Sequence, residues 1–330
     1  MATAIAGVIL GGAHIWKDDW SQCLEPRLLL PVLNVPLLHH LLRWLRTLDI
    51  EDVVLCANAG VRWLRAYARD GSAWKLRLHY YVDRLPRGPA GCLSDAGRLV
   101  EADEYLVVEG ATIPTLDARR LLAQHHTQRA AATLAVHVAT DDTPGAAGGS
   151  TPVGTYVFER AALSAVPPHS YQDIKETLVP QLLRAGQVLR VFPAPPPAPR
   201  ITDLAGYLAI QDWALRHLVS EGDDVTASSK MARCWLDPGA RVADSARLVG
   251  PVLVGAGSRI EALALLIGPV VVGRGCRIGS GAVVSNSVIW DAATVEPEAR
   301  IDSCVVATGA VVKSKTCLHH AVHRTCAVAE

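Results

Sequence analysis

The 330-residue sequence carries no excess of either charge: 32 Lys and Arg stand against 32 Asp and Glu. Proteins that track a phosphate backbone carry a basic surplus, so nucleic acid is excluded as an expected partner. No apolar run reaches the roughly 18 residues of a membrane span. The start, Met1–His14, lacks a basic n-region, so no signal peptide is expected. The eight cysteines include no CxxC pair and have no regular spacing, which reads as reduced thiols in a cytoplasmic protein. Phe occurs only twice against eight Trp, and no function follows from that.

What is present divides in two. From residue 1 to about 220, short apolar runs alternate with helix-like segments. Ile5–Leu10, Asp52–Ala57, Leu76–Val82, Tyr105–Val108, Ala132–Val138 and Val153–Phe158 read as strands. Leu37–Leu48, Arg62–Arg69, Ala118–His126 and Tyr207–Val219 read as helices, the last closing the first domain. Strands alternating with helices predict a parallel sheet covered on both faces, an α/β Rossmann-like domain. Asp141–Ser150 reads as a loop and Pro193–Pro199 as a stiff extended segment.

The second half carries an internal repeat. In steps of six from Leu236, the positions Val242, Leu248, Val254, Ile260, Leu266, Val272, Ile278 and Val284 are all aliphatic. The residues four further on, from Ala240 to Val288, are all small or β-branched. After Trp290 the register slips by one and resumes at Val295, Ile301 and Ala307. Period 2 of an ordinary sheet does not explain period 6. The pattern resembles the hexapeptide repeat of left-handed parallel β-helices, with three hexads to a coil and the aliphatic residue pointing inward. The division is residues 1–222 for the α/β domain, 223–235 for a linker, 236–313 for the β-helix and 314–330 for a tail. Val252, Leu253, Val270, Val271 and Ile289 are expected to offer an apolar contact face. Hexapeptide acyltransferases use a His on the coil, and none lies between Leu236 and Val312. In the tail, Cys317, His320, His323 and Cys326 step by three. These are zinc-ligand types, but the spacing is cramped for four ligands, and an incidental polar tail is the plainer reading.

Several stretches occur together in order: Val8–Ala13 (VILGGA), Glu25–Leu38 (EPRLLLPVLNVPLL), Pro86–Leu93 (PRGPAGCL), Leu106–Leu116 (LVVEGATIPTL) and Tyr171–Leu183 (YQDIKETLVPQLL). They resemble the glycine-rich turn, the PKPLLPVxNxPL stretch, the LGTAGAL loop, the GD strand and the segment before the closing helix of sugar-phosphate nucleotidylyltransferases. A β-helix after such a domain also occurs in that family. The resemblance implies a nucleotide bound along Leu10, Gly11, Gly12, Gly88, Ala90, Gly91 and Gly110, where absent side chains let backbone approach phosphates.

The same resemblance implies changes at the transfer centre. Ala13–Lys17 stands where the family has GxGTR, with Ile15 and Trp16 in place of small residues. Lys17 is the candidate for the following Arg, against an ordinary surface lysine. Arg27 falls on the catalytic Lys position and Ala111 on the first metal-binding Asp. Glu109, two residues earlier on the same strand face, is the candidate substitute. Asp203 is read either as the second metal ligand or as a helix N-cap. Lys175 is read either as a phosphate contact or as a solvated lysine. The sugar-binding insertion is shortened to Asp141–Ser150, and no EKP stretch is present.

These changes point to a catalytically degenerate member acting as a nucleotide- or nucleotide-sugar-binding, regulatory or assembly subunit. Its partners would be a homo-oligomer or an active paralogue. The alternatives are an active transferase with altered ligands, which would need Mg²⁺, and a structural oligomerisation module.

Overall fold

The computed structural model describes residues 3–12, 26–58, 60–83, 86–138, 150–219 and 233–324. The chain divides into two units. One comprises residues 1–15, 23–30 and 36–198, and the other residues 16–22, 31–35 and 199–330.

The first unit is built on a seven-stranded sheet: β1 (Ile5–Leu10), β2 (Asp52–Ala57), β3 (Arg77–Val82), β4 (Glu104–Glu109), β5 (Ala132–Val138), β6 (Ser150–Glu159) and β7 (Leu189–Pro193). The spatial order is β3-β2-β1-β4-β6-β5-β7. β6 alone among them runs against its neighbours. The strands read from sequence are all present, and β7 is added at the edge, where a Pro-rich segment follows it. α1 (Leu37–Arg46), α2 (Val61–Ala68) and α4 (Ala118–Gln128) pack on one face with Ile9, Leu55 and Val108. α3 (Gly88–Leu99) and α5 (Val179–Arg184) pack on the other with Val8, Cys56 and Val107. Every second strand residue serves one face, which is why these runs are apolar throughout.

At the far end of β4 a buried imidazole sits against a buried acid. His125 is 1% exposed, its Nδ1 is 2.8 Å from Thr133 Oγ1, and its Nε2 is 3.8 Å from Glu104 Oε1. Burial, and then the neighbouring His126, hold its pKa at about 4. The unfolded imidazole titrates near 6.5. Stability is therefore complete above about pH 6.5 and declines as pH falls toward 4, by up to about 3 kcal/mol. Glu104, pushed up by burial, opposes this, because its raised pKa adds stability that is present at low pH and lost as pH rises. Urea unfolding of the wild type should weaken from pH 7 to pH 4.5. His125→Gln should weaken less over the same range, and equal slopes would contradict the assignment.

The second unit contains α6 (Leu204–His217) and a run of short parallel strands. Strand partners lie eighteen residues apart: Cys234 opposite Val252 opposite Val270, and Arg241 opposite Arg259 opposite Arg277. Three such columns form a parallel β-helix. Corner residues recur with positive φ at Gly239, Gly257, Gly275, Ala292 and Gly309. Ile260, Leu266, Val272, Ile278 and Val284 are all buried, as the sequence reading expects. At the small position Ser258, Oγ donates to Gly273 O at 2.7 Å and accepts from Cys276 N, so its burial leaves no hydroxyl orphaned.

The slip falls earlier than the sequence suggests. Ile267 faces Ser285 and Val270 faces Ser287, so Gly268 and Pro269 together face the single residue Asn286. From there partners lie seventeen residues apart, and the inward positions are Ile289 and Val306 rather than Trp290 and Ala307. The expected contact face is corrected as well. Val252, Val270 and Ile289 belong to the β-helix core, and Leu253 and Val271 are also buried. α6 lies against Leu265–Val272 and Val283–Ile289. It is held there by Trp290 Nε1 donating to Tyr207 Oη at 2.9 Å, while Tyr207 Oη donates to Pro31 O at 2.6 Å. The helix read as closing the first domain thus groups with the β-helix. In the tail, Cys317 and His320 are exposed and His323 is half-buried, and Cys326 lies outside the described residues. Among the described residues no three His, Cys, Asp or Glu side chains converge as metal ligands, and no helix is long and apolar enough to cross a membrane.

Candidate functional site

The sheet order places a topological switch between β1 and β4. From β1 the chain builds outward to β2 and β3, then crosses over to β4 on the other side. In open α/β sheets the crevice beyond the strands' carboxyl ends at such a point receives ligands. Leu10, Gly11, Gly12, Glu109, Gly110 and Ala111 all lie there, because Leu10 pairs with Glu109. The two glycine segments that the sequence reading singled out on β1 and β4 are brought side by side.

Both have a packing cause besides any ligand. Gly11 N donates to Cys56 O at 2.8 Å, and a Cβ on Gly11 would stand 2.8 Å from both that oxygen and Leu28 Cδ1. A Cβ on Gly110 would stand 2.8 Å from Leu28 Cδ2 and 3.0 Å from Leu10 O. Leu28 is thus wedged across the two strand ends, a contact that sequence spacing could not reveal. Its neighbour Arg27 is buried in the same 3₁₀ turn, Arg27–Leu29.

The PRGPAGCL segment, read as a loop, is largely helical. Gly88 opens α3 with φ +79°, where a Cβ would stand 2.5 Å from Gln172 O. Ala90 N donates to that same oxygen at 3.0 Å, and the missing side chain of Gly91 admits Arg87 Cβ. Arg87 Nη1 lies 2.7 and 2.8 Å from the two carboxylate oxygens of Asp95, which also accepts from Tyr81 Oη. This half-buried network fixes where α3 begins. Cys56 and Cys92 lie beside it, and burial pushes both thiols well above their ordinary range, so neither supplies a thiolate nucleophile.

Glu109 brings a carboxylate to these strand ends. Tyr105 and Val107 face α3, so Glu109 continues that side of β4. Its Oε1 accepts from Tyr156 Oη at 2.6 Å and stands 3.6 Å from Lys175 Nζ. The sequence candidates Glu109 and Lys175 therefore meet, and Tyr156 is the member that sequence reasoning missed. Ala111 is buried and offers a methyl group. Asp203 caps α6 in the other unit, accepting from Gly206 N at 2.7 Å. Lys17 and the stretch Ala13–Lys17 lie outside the described residues, as does most of Asp141–Ser150. Mg²⁺ requires a near-octahedral set of oxygens. Among the described residues at these strand ends, one carboxylate already engaged by a tyrosine and a lysine, with the methyl of Ala111 two residues on, does not fit that requirement.

Comparisons with known proteins agree with this architecture. Residues 21–149 match the family model for nucleotidyl transferase, and residues 232–328 match the GMPPB C-terminal domain. A mannose-1-phosphate guanylyltransferase of Mycobacterium tuberculosis is 27% identical over 292 residues, spanning 78% of this chain and 77% of that protein. A D-glycero-alpha-D-manno-heptose 1-phosphate guanylyltransferase of Aneurinibacillus thermoaerophilus is 24% identical over 112 residues, 34% of this chain and 48% of that protein. The structure of HddC from Yersinia pseudotuberculosis complexed with GMP-PN superposes with a TM-score of 0.52 at 13% identity, over 64% of this chain and 99% of that one, a likeness of fold. With a nucleotidyl transferase domain followed by a GMPPB C-terminal domain, the chain belongs to the sugar-phosphate nucleotidylyltransferase family.

Proposed function

We propose that the crevice at the carboxyl ends of β1 and β4 binds a guanine nucleotide or a guanosine-diphosphate sugar, and that the chain has lost most of the nucleotidyl transfer step. It then serves as a ligand-binding or regulatory member of the family. The observation that carries this reading is Ala111, a buried methyl where the resemblance expects a metal-binding carboxylate, beside a Glu109 already engaged by Tyr156 and Lys175. The guanine preference is taken from the relatives, which are named as guanylyltransferases.

The second reading is an active sugar-1-phosphate guanylyltransferase with altered ligands. The match to a mannose-1-phosphate guanylyltransferase over 78% of the chain favours it.

Thermal unfolding with added ligand tests the binding claim common to both readings. A ligand at a hundred times its Kd stabilises by about 2.7 kcal/mol, a shift of several degrees for a domain of this size. GDP and GDP-mannose should each raise Tm by that order, and ADP by less. No shift with any nucleotide at millimolar concentration would contradict the reading.

A further inference from the structure

We infer that Lys175 acts as a built-in cation in the crevice, offsetting Glu109 so that a diphosphate ligand is held without magnesium. The inference rests on the nucleotide reading above and deepens it.

Glu109 is the last residue of β4, at the switch point, and its side chain is only 17% exposed. Any phosphate entering this crevice faces that carboxylate. Like charges at such range repel, and the low local dielectric strengthens the repulsion, so a cation must intervene. A divalent ion needs further oxygens. Ala111, in the turn that follows the strand, adds only a methyl group, and among the described residues no three His, Cys, Asp or Glu side chains converge as metal ligands.

Lys175 already stands on the other side of the carboxylate, at 3.6 Å. Its backbone is anchored: Lys175 N donates to Asp173 Oδ1 at 2.6 Å, and the flanking Ile174 and Leu178 are buried. Its side chain is 41% exposed, so the ammonium beside Glu109 is open to solvent and to an incoming anion. An ammonium is a compact point charge with three donors on a flexible stem. It can keep one N–H toward Glu109 and turn the others to a phosphate. Without ligand, Lys175 pairs with Glu109; with ligand, the phosphate draws it across.

Titration calorimetry of GDP into the full chain, in magnesium buffer and in EDTA, tests this. The expected result is the same Kd in both buffers. Lys175→Met should weaken binding about tenfold or more, the size of a charge-assisted contact, and Lys175→Arg should retain most of it. Glu109→Gln should tighten binding, because it removes both the repelling charge and the competing partner. Magnesium-dependent binding, unchanged binding in Lys175→Met, or weakened binding in Glu109→Gln would each overturn the inference. Should Lys175→Met fail to fold, Lys175→Gln takes its place with the same expected loss of binding, read beside the tightening in Glu109→Gln. A wild type that binds no GDP in either buffer contradicts the nucleotide reading itself and takes the inference with it. GDP binding that needs magnesium leaves that reading standing and overturns only the role of Lys175.

Discussion

Ile278→Asp should unfold the β-helix. Ile278 is fully buried and stacks in one column between Ile260 and Val295. A carboxylate there has no partner in the column, and the buried neighbours of that core are apolar or small. Burying an unpaired charge belongs to the short class of substitutions that cost more than about 4 kcal/mol. Parallel coils share their ladder bonds, so losing one inward residue exposes the coils on either side. Circular dichroism and urea unfolding should show loss of the strand signal in this variant. Ile278→Val should cost only about 0.5–1.5 kcal/mol. An Asp variant melting within a degree or two of wild type would mean that Ile278 does not point inward.

The repeat was legible because its geometry is written once per face. A coil of eighteen residues returns each inward aliphatic residue to the same place, so period 6 survives in the raw sequence. Its defect was legible only approximately. The chain shortens at a corner, where Asn286 takes the place of Gly268 and Pro269, but an apolar pattern marks faces and not corners, so the sequence alone puts the slip after Trp290. The contact face failed for a different reason. Leu253 and Val271 look like surface in a repeat considered by itself, yet both are buried, and α6 packs against the strand that carries Val271.

At the crevice, the glycines were legible but their causes were not. Gly11 and Gly110 are both required by Leu28, and Gly91 by Arg87. Glu109 and Lys175 could be picked singly from the sequence, whereas their meeting depends on β4 and the segment after β6 reaching the same strand end. Tyr156 carried no motif at all. Its signal is a tyrosine on a buried strand, whose hydroxyl must find a partner and finds Glu109. Asp203 was open between ligand and cap, and it accepts the Gly206 amide as a cap does.

Transfer activity is where the largest functional effect is expected. Loss of one preorganised electrostatic group commonly costs on the order of 10²–10³ in rate. Such groups act as a unit, so the losses do not simply add. Ala111 supplies no carboxylate, and Glu109 is held by Tyr156 and Lys175. Restoring a carboxylate with Ala111→Asp should therefore not rescue turnover by itself, since Lys175 remains beside Glu109. The most direct test of the account is pyrophosphate release by the purified full chain with GTP, mannose 1-phosphate and magnesium, run beside a GDP binding titration on the same preparation. GDP binding is expected with no pyrophosphate release above the protein-free background, in the wild type and in Ala111→Asp alike. Sustained release of pyrophosphate with formation of GDP-mannose by the wild type would contradict it and establish the active transferase.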